Sequence, residues 1–97
     1  MTDERAVDSE AIGQRLRLAR DAYGFAQGEF AEAAGLTQHA YNQYENGKRV
    51  PSIDVAIALR DRHRLTLDYI YCGDLSGLRF ALGDTIRKMQ ELRQRRA

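Results

Sequence analysis

Apolar positions along this chain recur every three or four residues, and no stretch alternates long enough for paired strands. Ile12, Leu16, Ala19 and Tyr23 make the first stripe, opened by Ser9 as N-cap and closed by Gly24. A second helix runs from about Gln27 to Ala34 and stops at Gly35. Phe25 and Phe30 take the two places of a hydrophobic staple, and Glu29 takes the acidic place of a capping box. The cap itself is missing, because Ala26 has no side-chain oxygen. Thr37 caps a third helix, stapled by Leu36 and Tyr41 and ending at Asn46-Gly47. Ser52 opens a fourth, with Ile53, Ala56, Ile57 and Leu59 available for burial and Asp54 well placed in its first turn. Thr66 caps a short fifth helix carrying Leu67, Tyr69 and Ile70, ended by Gly73. The remainder forms a last helix with Leu82, Ile86 and Met89 on one side and a basic, polar end.

This pattern predicts an all-α bundle of five short helices with a helical C-terminal extension. Its expected organisation is a flexible tail over 1–8, one domain over 9–73 and the extension over 74–97. The 97 residues suffice for one domain, and 43% apolar content is enough to fold it. No apolar run approaches the ~18 residues of a membrane span, and the basic-then-apolar order of an export signal is absent, so a cytoplasmic location is expected.

Chemistry of the usual catalytic kinds finds no support. Cys72 is the only cysteine and reads as an inert small apolar residue. His39 and His63 stand too far apart for metal-ligand spacing, and His63 reads as a surface histidine. Serine occurs only at Ser9, Ser52 and Ser76, without a histidine motif, and no glycine-rich phosphate loop is present. No enzyme, metal or cofactor is expected.

The informative segment is Gln27 to Gly47, two short helices joined by Ala34-Gly35-Leu36, the spacing of a helix-turn-helix. At roughly 100° per residue, Gln38, His39, Asn42, Gln43 and Asn46 fall within an arc of about 140° on the third helix. Thr37, Ala40, Tyr41, Tyr44 and Glu45 take the other side. The outer arc is therefore amides and an imidazole, with no formal charge from Lys, Arg or acid. Gln and Asn both donate and accept, which suits them to the adenine edge in the major groove. The net charge of +1 adds little, but it conceals a polarity. Residues 1–10 hold four acids against Arg5, whereas residues 76–97 hold six bases against two acids.

The run Gly24-Phe25-Ala26-Gln27-Gly28-Glu29-Phe30-Ala31, then Gly35-Leu36-Thr37, then Tyr41 through Ser52 with its Glu45-Asn46-Gly47 and Pro51, resembles the Xre or Cro/lambda-repressor helix-turn-helix family. The likeness extends over residues 12–73, through Leu65-Thr66-Leu67-Asp68-Tyr69-Ile70. It implies a compact five-helix bundle, and sequence-specific binding of double-stranded DNA by a transcriptional regulator, a repressor, as a homodimer. It implies base-edge roles for Gln38, His39, Asn42 and Gln43, and phosphate roles for Gln27, Thr37, Asn46, Lys48 and Arg49. It further implies a partly buried ion pair between Arg20 and Glu45. The chain departs from the family at Ala26, at Gly28, and at Arg62-His63-Arg64, where a small or apolar pair and a glycine are common. The competing reading is a protein-interaction module, such as an antitoxin or adaptor, built on the same fold. Leu75, Leu78, Phe80, Leu82, Ile86, Met89 and Leu92 add apolar surface beyond the family core, so the extension is expected to supply the dimer interface.

Overall fold

A computed structural model of the chain describes residues 7–96. Residues 1–6, most of the expected tail, lie outside the described residues. Among the described residues six helices form: α1 (Ser9–Tyr23), α2 (Gln27–Ala33), α3 (Gln38–Glu45), α4 (Ile53–His63), α5 (Leu67–Cys72) and α6 (Phe80–Arg96). Among the described residues there is no strand, and no helix is long and apolar enough to cross a membrane.

The helix starts follow their caps. Thr37, Ser52 and Thr66 each accept a hydrogen bond from the backbone N–H three residues on, at 3.1, 3.3 and 2.9 Å. α1 corrects the expected cap: Asp8, not Ser9, accepts from Glu10 and Ala11. Ser9 already lies in the first turn, and its hydroxyl donates instead to the Gly47 carbonyl, 2.8 Å away. The uncapped Ala26 keeps half of a capping box, its N–H reaching Glu29 Oε1 at 3.3 Å.

α1 is the central element, packed against α3, α5 and α6, while α2 packs on α3 and α4 on α5. Ile12, Leu16 and Ala19 are fully buried with Phe30, Tyr41, Leu59 and Tyr69 in one contiguous core. Tyr23, expected in the same stripe, is 39% exposed because it sits at the last position of α1 and aims its hydroxyl at the His63 carbonyl. Ile53, also expected inside, is 57% exposed; it opens α4 ahead of the turn that reaches the core through Ala56 and Leu59. Cys72 is exposed at the last turn of α5. α6 runs back along α1, from Ala22 and Tyr23 at its start to Ala11 and Gln14 at its end. Its Leu82 and Ile86, with Leu78 before it, are buried against the chain's own domain, whereas Phe80 and Leu92 are 83% and 57% exposed.

Two helices meet closely at Gly13. A Cβ there would lie 2.4 Å from the Glu45 carbonyl oxygen and 2.7 Å from that of Tyr44. Both are backbone atoms at the end of α3, so neither can rotate away. Only a glycine lets α1 touch the C-terminal turn of α3.

His63 overturns its reading as a surface residue, being 5% exposed. Its ring stacks on Phe30, with centroids 3.7 Å apart and planes 8° from parallel. The turn after α2 explains why it is needed. The Ala34 N–H turns to the Ala31 carbonyl, and the Phe30 carbonyl is met instead by His63 Nε2 at 2.8 Å. Nε2 therefore carries a proton and donates it. The backbone then turns through Arg64, which adopts the left-handed region at φ 63° where the family commonly has glycine.

Two predictions follow from this packing. Gly13→Ala should destabilise by about 1–3 kcal/mol or more through overpacking, against the gain of up to about 1 kcal/mol that helix propensity alone would give. Urea denaturation reads the sign, and a stabilised variant would contradict the contact. Burial holds the His63 pKa below its ordinary 6.5, so the unfolded chain takes up a proton that the folded chain resists. Its contribution is intact above pH 6.5 and is lost as pH falls below it toward the lower folded value. Melting midpoints should drop as pH falls through that window, and His63→Gln should flatten the drop; an equal slope in both proteins would contradict it.

Candidate nucleic-acid interface

The turn between α2 and α3 passes through Gly35 at φ 79°, and Leu36 docks on the core behind it. This fixes α3 across the bundle with Tyr41, Tyr44 and Glu45 buried and Gln38, His39 and Asn46 exposed. Asn42 and Gln43 lie between, half-buried along the same outer arc. The expected arc is thus the outer face of the helix, and Thr37 stands exposed at its head. The Tyr41 ring fills the core, but its hydroxyl is buried without a hydrogen-bond partner among the described residues. Burial, and then the Glu45 charge, push the Tyr41 pKa upward.

Beneath the outer face sits one carboxylate. The Glu45 side chain is fully buried and is bridged by Arg20, Nε to Oε2 at 2.7 Å and Nη2 to Oε1 at 3.0 Å. This two-pronged geometry is the strongest an arginine offers a carboxylate. Arg17 Nε adds a second cation at 3.5 Å from Oε1. Burial alone would raise the Glu45 pKa, but the side-chain hydrogen bonds it accepts, from Arg20 first and also from Gln27, together with the Arg20 charge, outweigh it and the net direction is down.

A hydrogen-bond chain leads outward from this pair. An ionised Glu45 only accepts, so the Gln27 amide points its Nε2 inward, 3.1 Å from Oε1. The Gln27 oxygen is left to accept from Gln38 Nε2 at 3.3 Å. Gln38 Oε1 rests where a Cβ on residue 28 would stand only 2.9 Å away, so Gly28, which weakens α2, makes room for it. The ion pair in the core therefore sets which end of the Gln38 amide faces out.

The cations gather at the other end of α3. Lys48 and Arg49 are both exposed, and the Lys48 N–H closes the loop onto the Gln43 carbonyl at 2.9 Å. The Arg49 guanidinium lies 5.8 Å from the centre of the Tyr44 ring, within cation–π range. Asn46 is held from behind, its oxygen accepting from Arg17 Nη2 at 3.4 Å. Gln27 is likewise half-buried and engaged within the protein. Gln27 and Thr37 mark one end of the helix and Asn46, Lys48 and Arg49 the other. The sequence reading missed Arg17 and Gly13. Their spacing with Arg20, four and three residues along α1, could have placed all three on the face that meets α3.

Comparison with known proteins agrees with this geometry. A family model described as helix-turn-helix matches residues 16–70. A protein of Pyrococcus furiosus, provisionally named an HTH-type transcriptional regulatory protein, is 43% identical over 49 residues, covering 50% of this chain and 16% of its own length. The SPbeta prophage-derived uncharacterized HTH-type transcriptional regulator YonR of Bacillus subtilis is 30% identical over 62 residues, 64% of this chain and 57% of its own. The HTH-type transcriptional regulator ImmR of Bacillus subtilis is 30% identical over 60 residues, 62% of this chain and 47% of its own. The chain thus spans less than two thirds of the length of each of these relatives. No solved structure matches it.

The buried pair makes a direct prediction. Glu45→Gln should cost up to about 3–5 kcal/mol, because Arg20 is left facing an uncharged group in a largely buried site, whereas the exposed Arg17 keeps its water. Chemical denaturation measures it, and a loss below about 1 kcal/mol would place the pair among ordinary surface ion pairs.

Proposed function

Since the chain belongs to the helix-turn-helix family of Xre and Cro/lambda-repressor type, we propose that it is a sequence-specific double-stranded DNA-binding transcriptional regulator, acting as a repressor in the cytoplasm. One observation carries the reading: the exposed face of α3 is uncharged hydrogen-bonding chemistry, bounded by Lys48 and Arg49 at its C-terminal end. A face that serves solubility alone favours Glu and Lys. A face that reads base edges needs groups that donate and accept at fixed positions. Gln38, His39, Asn42 and Gln43 are assigned to base edges. Gln27, Thr37, Asn46, Lys48 and Arg49 are assigned to phosphates, which set register and carry the salt dependence.

Eight residues of α3 span about 12 Å and reach only a few base pairs. Two copies on two half-sites supply the missing discrimination, so the proposed working unit is a homodimer. Residues 74–97 are its proposed interface. With Leu78, Leu82 and Ile86 already packed on the chain's own domain, the contact falls to Phe80, Leu92 and the half-buried Leu75 and Met89. Met89 and Leu92 line a shallow groove of about 250 Å³ with Leu18 of α1. Repression then follows from occlusion of a promoter. No catalytic step, metal or cofactor enters the proposal.

In vitro selection from random duplexes should return one inverted repeat. On that site Gln38→Ala should weaken binding by about 1–3 kcal/mol and leave random DNA unaffected. Lys48→Ala should weaken both together and flatten the salt dependence by about one counterion. Equal affinity for selected and random duplexes would overturn the reading.

A further inference from the structure

The end of the domain formed by the close of α4 and the start of α6 carries a cluster that the α3 face does not explain. Two adjoining hollows of about 350 and 520 Å³ share Arg64 and Arg79 on their walls. The first also has Arg62, Tyr23 and Phe25 around it; the second has Arg60 and Asp61. Arg60 is neutralised by Asp61 at 2.9 Å. Arg62, Arg64 and Arg79 are exposed, and their side chains make no ion pair or hydrogen bond among the described residues. Three like charges therefore line one hollow, and the carboxylate beside them, Asp61, is already paired with Arg60. Beside them Tyr23 and Phe25 are 39% and 36% exposed, with rings 6.1 Å apart.

Arg64 sharpens the point. It is the one non-glycine residue with positive φ among the described residues, at 63°. Glycine takes that conformation freely, whereas a residue with a Cβ is strained in it. The left-handed backbone serves the fold as the C-cap of α4, the Arg64 N–H donating to the Arg60 carbonyl at 2.9 Å, but the side chain neither enters the core nor bonds to the domain, so the fold gives no reason for arginine there rather than glycine. Residues kept in such regions tend to serve a site.

A stack of rings lies between the cluster and α3. The Tyr41 ring, on the inner side of α3, lies 5.5 Å from that of Phe30, and Phe30 stacks at 3.7 Å on His63. Arg62 and Arg64 flank His63 in the chain, and with it they line the hollow at that end of the stack.

We propose that this surface docks an acidic segment of a partner protein, its carboxylates gripped by Arg62, Arg64 and Arg79 and an apolar side chain resting on Tyr23 and Phe25. Guanidinium groups bond carboxylates with two prongs, and aromatic rings with arginines are the usual anchors of protein contacts. The proposal is independent of DNA binding by α3.

The test titrates the full chain with a glutamate-rich peptide carrying one central phenylalanine, and with its glutamine counterpart. The glutamate peptide should bind and shift the Tyr23 and Phe25 resonances, while the glutamine peptide should not. Arg64→Gly should weaken that binding about tenfold yet melt at or above the wild-type temperature, because it removes the cation and the strain together. The double change Arg62→Gln, Arg79→Gln should weaken it likewise. Absence of glutamate-peptide binding, or binding unaffected by these changes, overturns the proposal. Loss of affinity for duplex DNA in these variants, without peptide binding, reassigns the cluster to the nucleic-acid face and overturns it equally.

Discussion

A single buried carboxylate organises the part of this protein that matters most. Glu45 ends α3, and its charge can stay in a dry site only because Arg20, and behind it Arg17, come from α1 to meet it. Those arginines reach it because α1 crosses directly over the C-terminal turn of α3, and that crossing exists only because residue 13 has no side chain. The pair and the glycine are thus one device. Buried ion pairs often add little to stability, because desolvation offsets their attraction. What this one supplies is position: it fixes the roll and the height of α3 on the bundle.

Position then becomes chemistry through hydrogen bonds. Glu45 orients Gln27, and Gln27 orients Gln38, so an outer amide inherits its direction from a charge in the core. The outer face itself is neutral, and the loop after it holds Lys48 and Arg49. On the proposed function this separates two tasks. Neutral groups on α3 choose the sequence, and the loop cations supply attraction to any duplex. It also explains how a chain of net charge +1 can serve this purpose, since a few cations placed locally outweigh an average.

Much of this was legible in advance. Glycines, caps and the Glu45-Asn46-Gly47 run marked the boundaries of α2, α3 and α5 closely, because each cap is a local signal read by the next turn of backbone. The split of α3 into an inner aromatic and an outer amide face followed from its angles alone. Long-range consequences were harder to see. Gly13 and Gly28 look like weak helix formers until the atoms that occupy their missing side-chain space are known. His63 looks like a surface residue within a basic run, yet its ring answers a carbonyl 33 residues earlier in the chain. The apolar tail suggested an uncovered face, and α1 covers most of it. Each of these depends on a partner distant in sequence, which periodicity cannot supply.

The central claim is that the outer face of α3, held by the Glu45 hub, is the surface that meets base edges. It is tested most directly by following side-chain amide signals in an NMR titration with the duplex that selection returns. The Gln38, Asn42 and Gln43 amides should shift strongly and become protected from exchange, while those of Gln90 and Gln94 on α6 remain where they were. Unmoved α3 amides in a saturated complex would contradict the account, whatever the affinity.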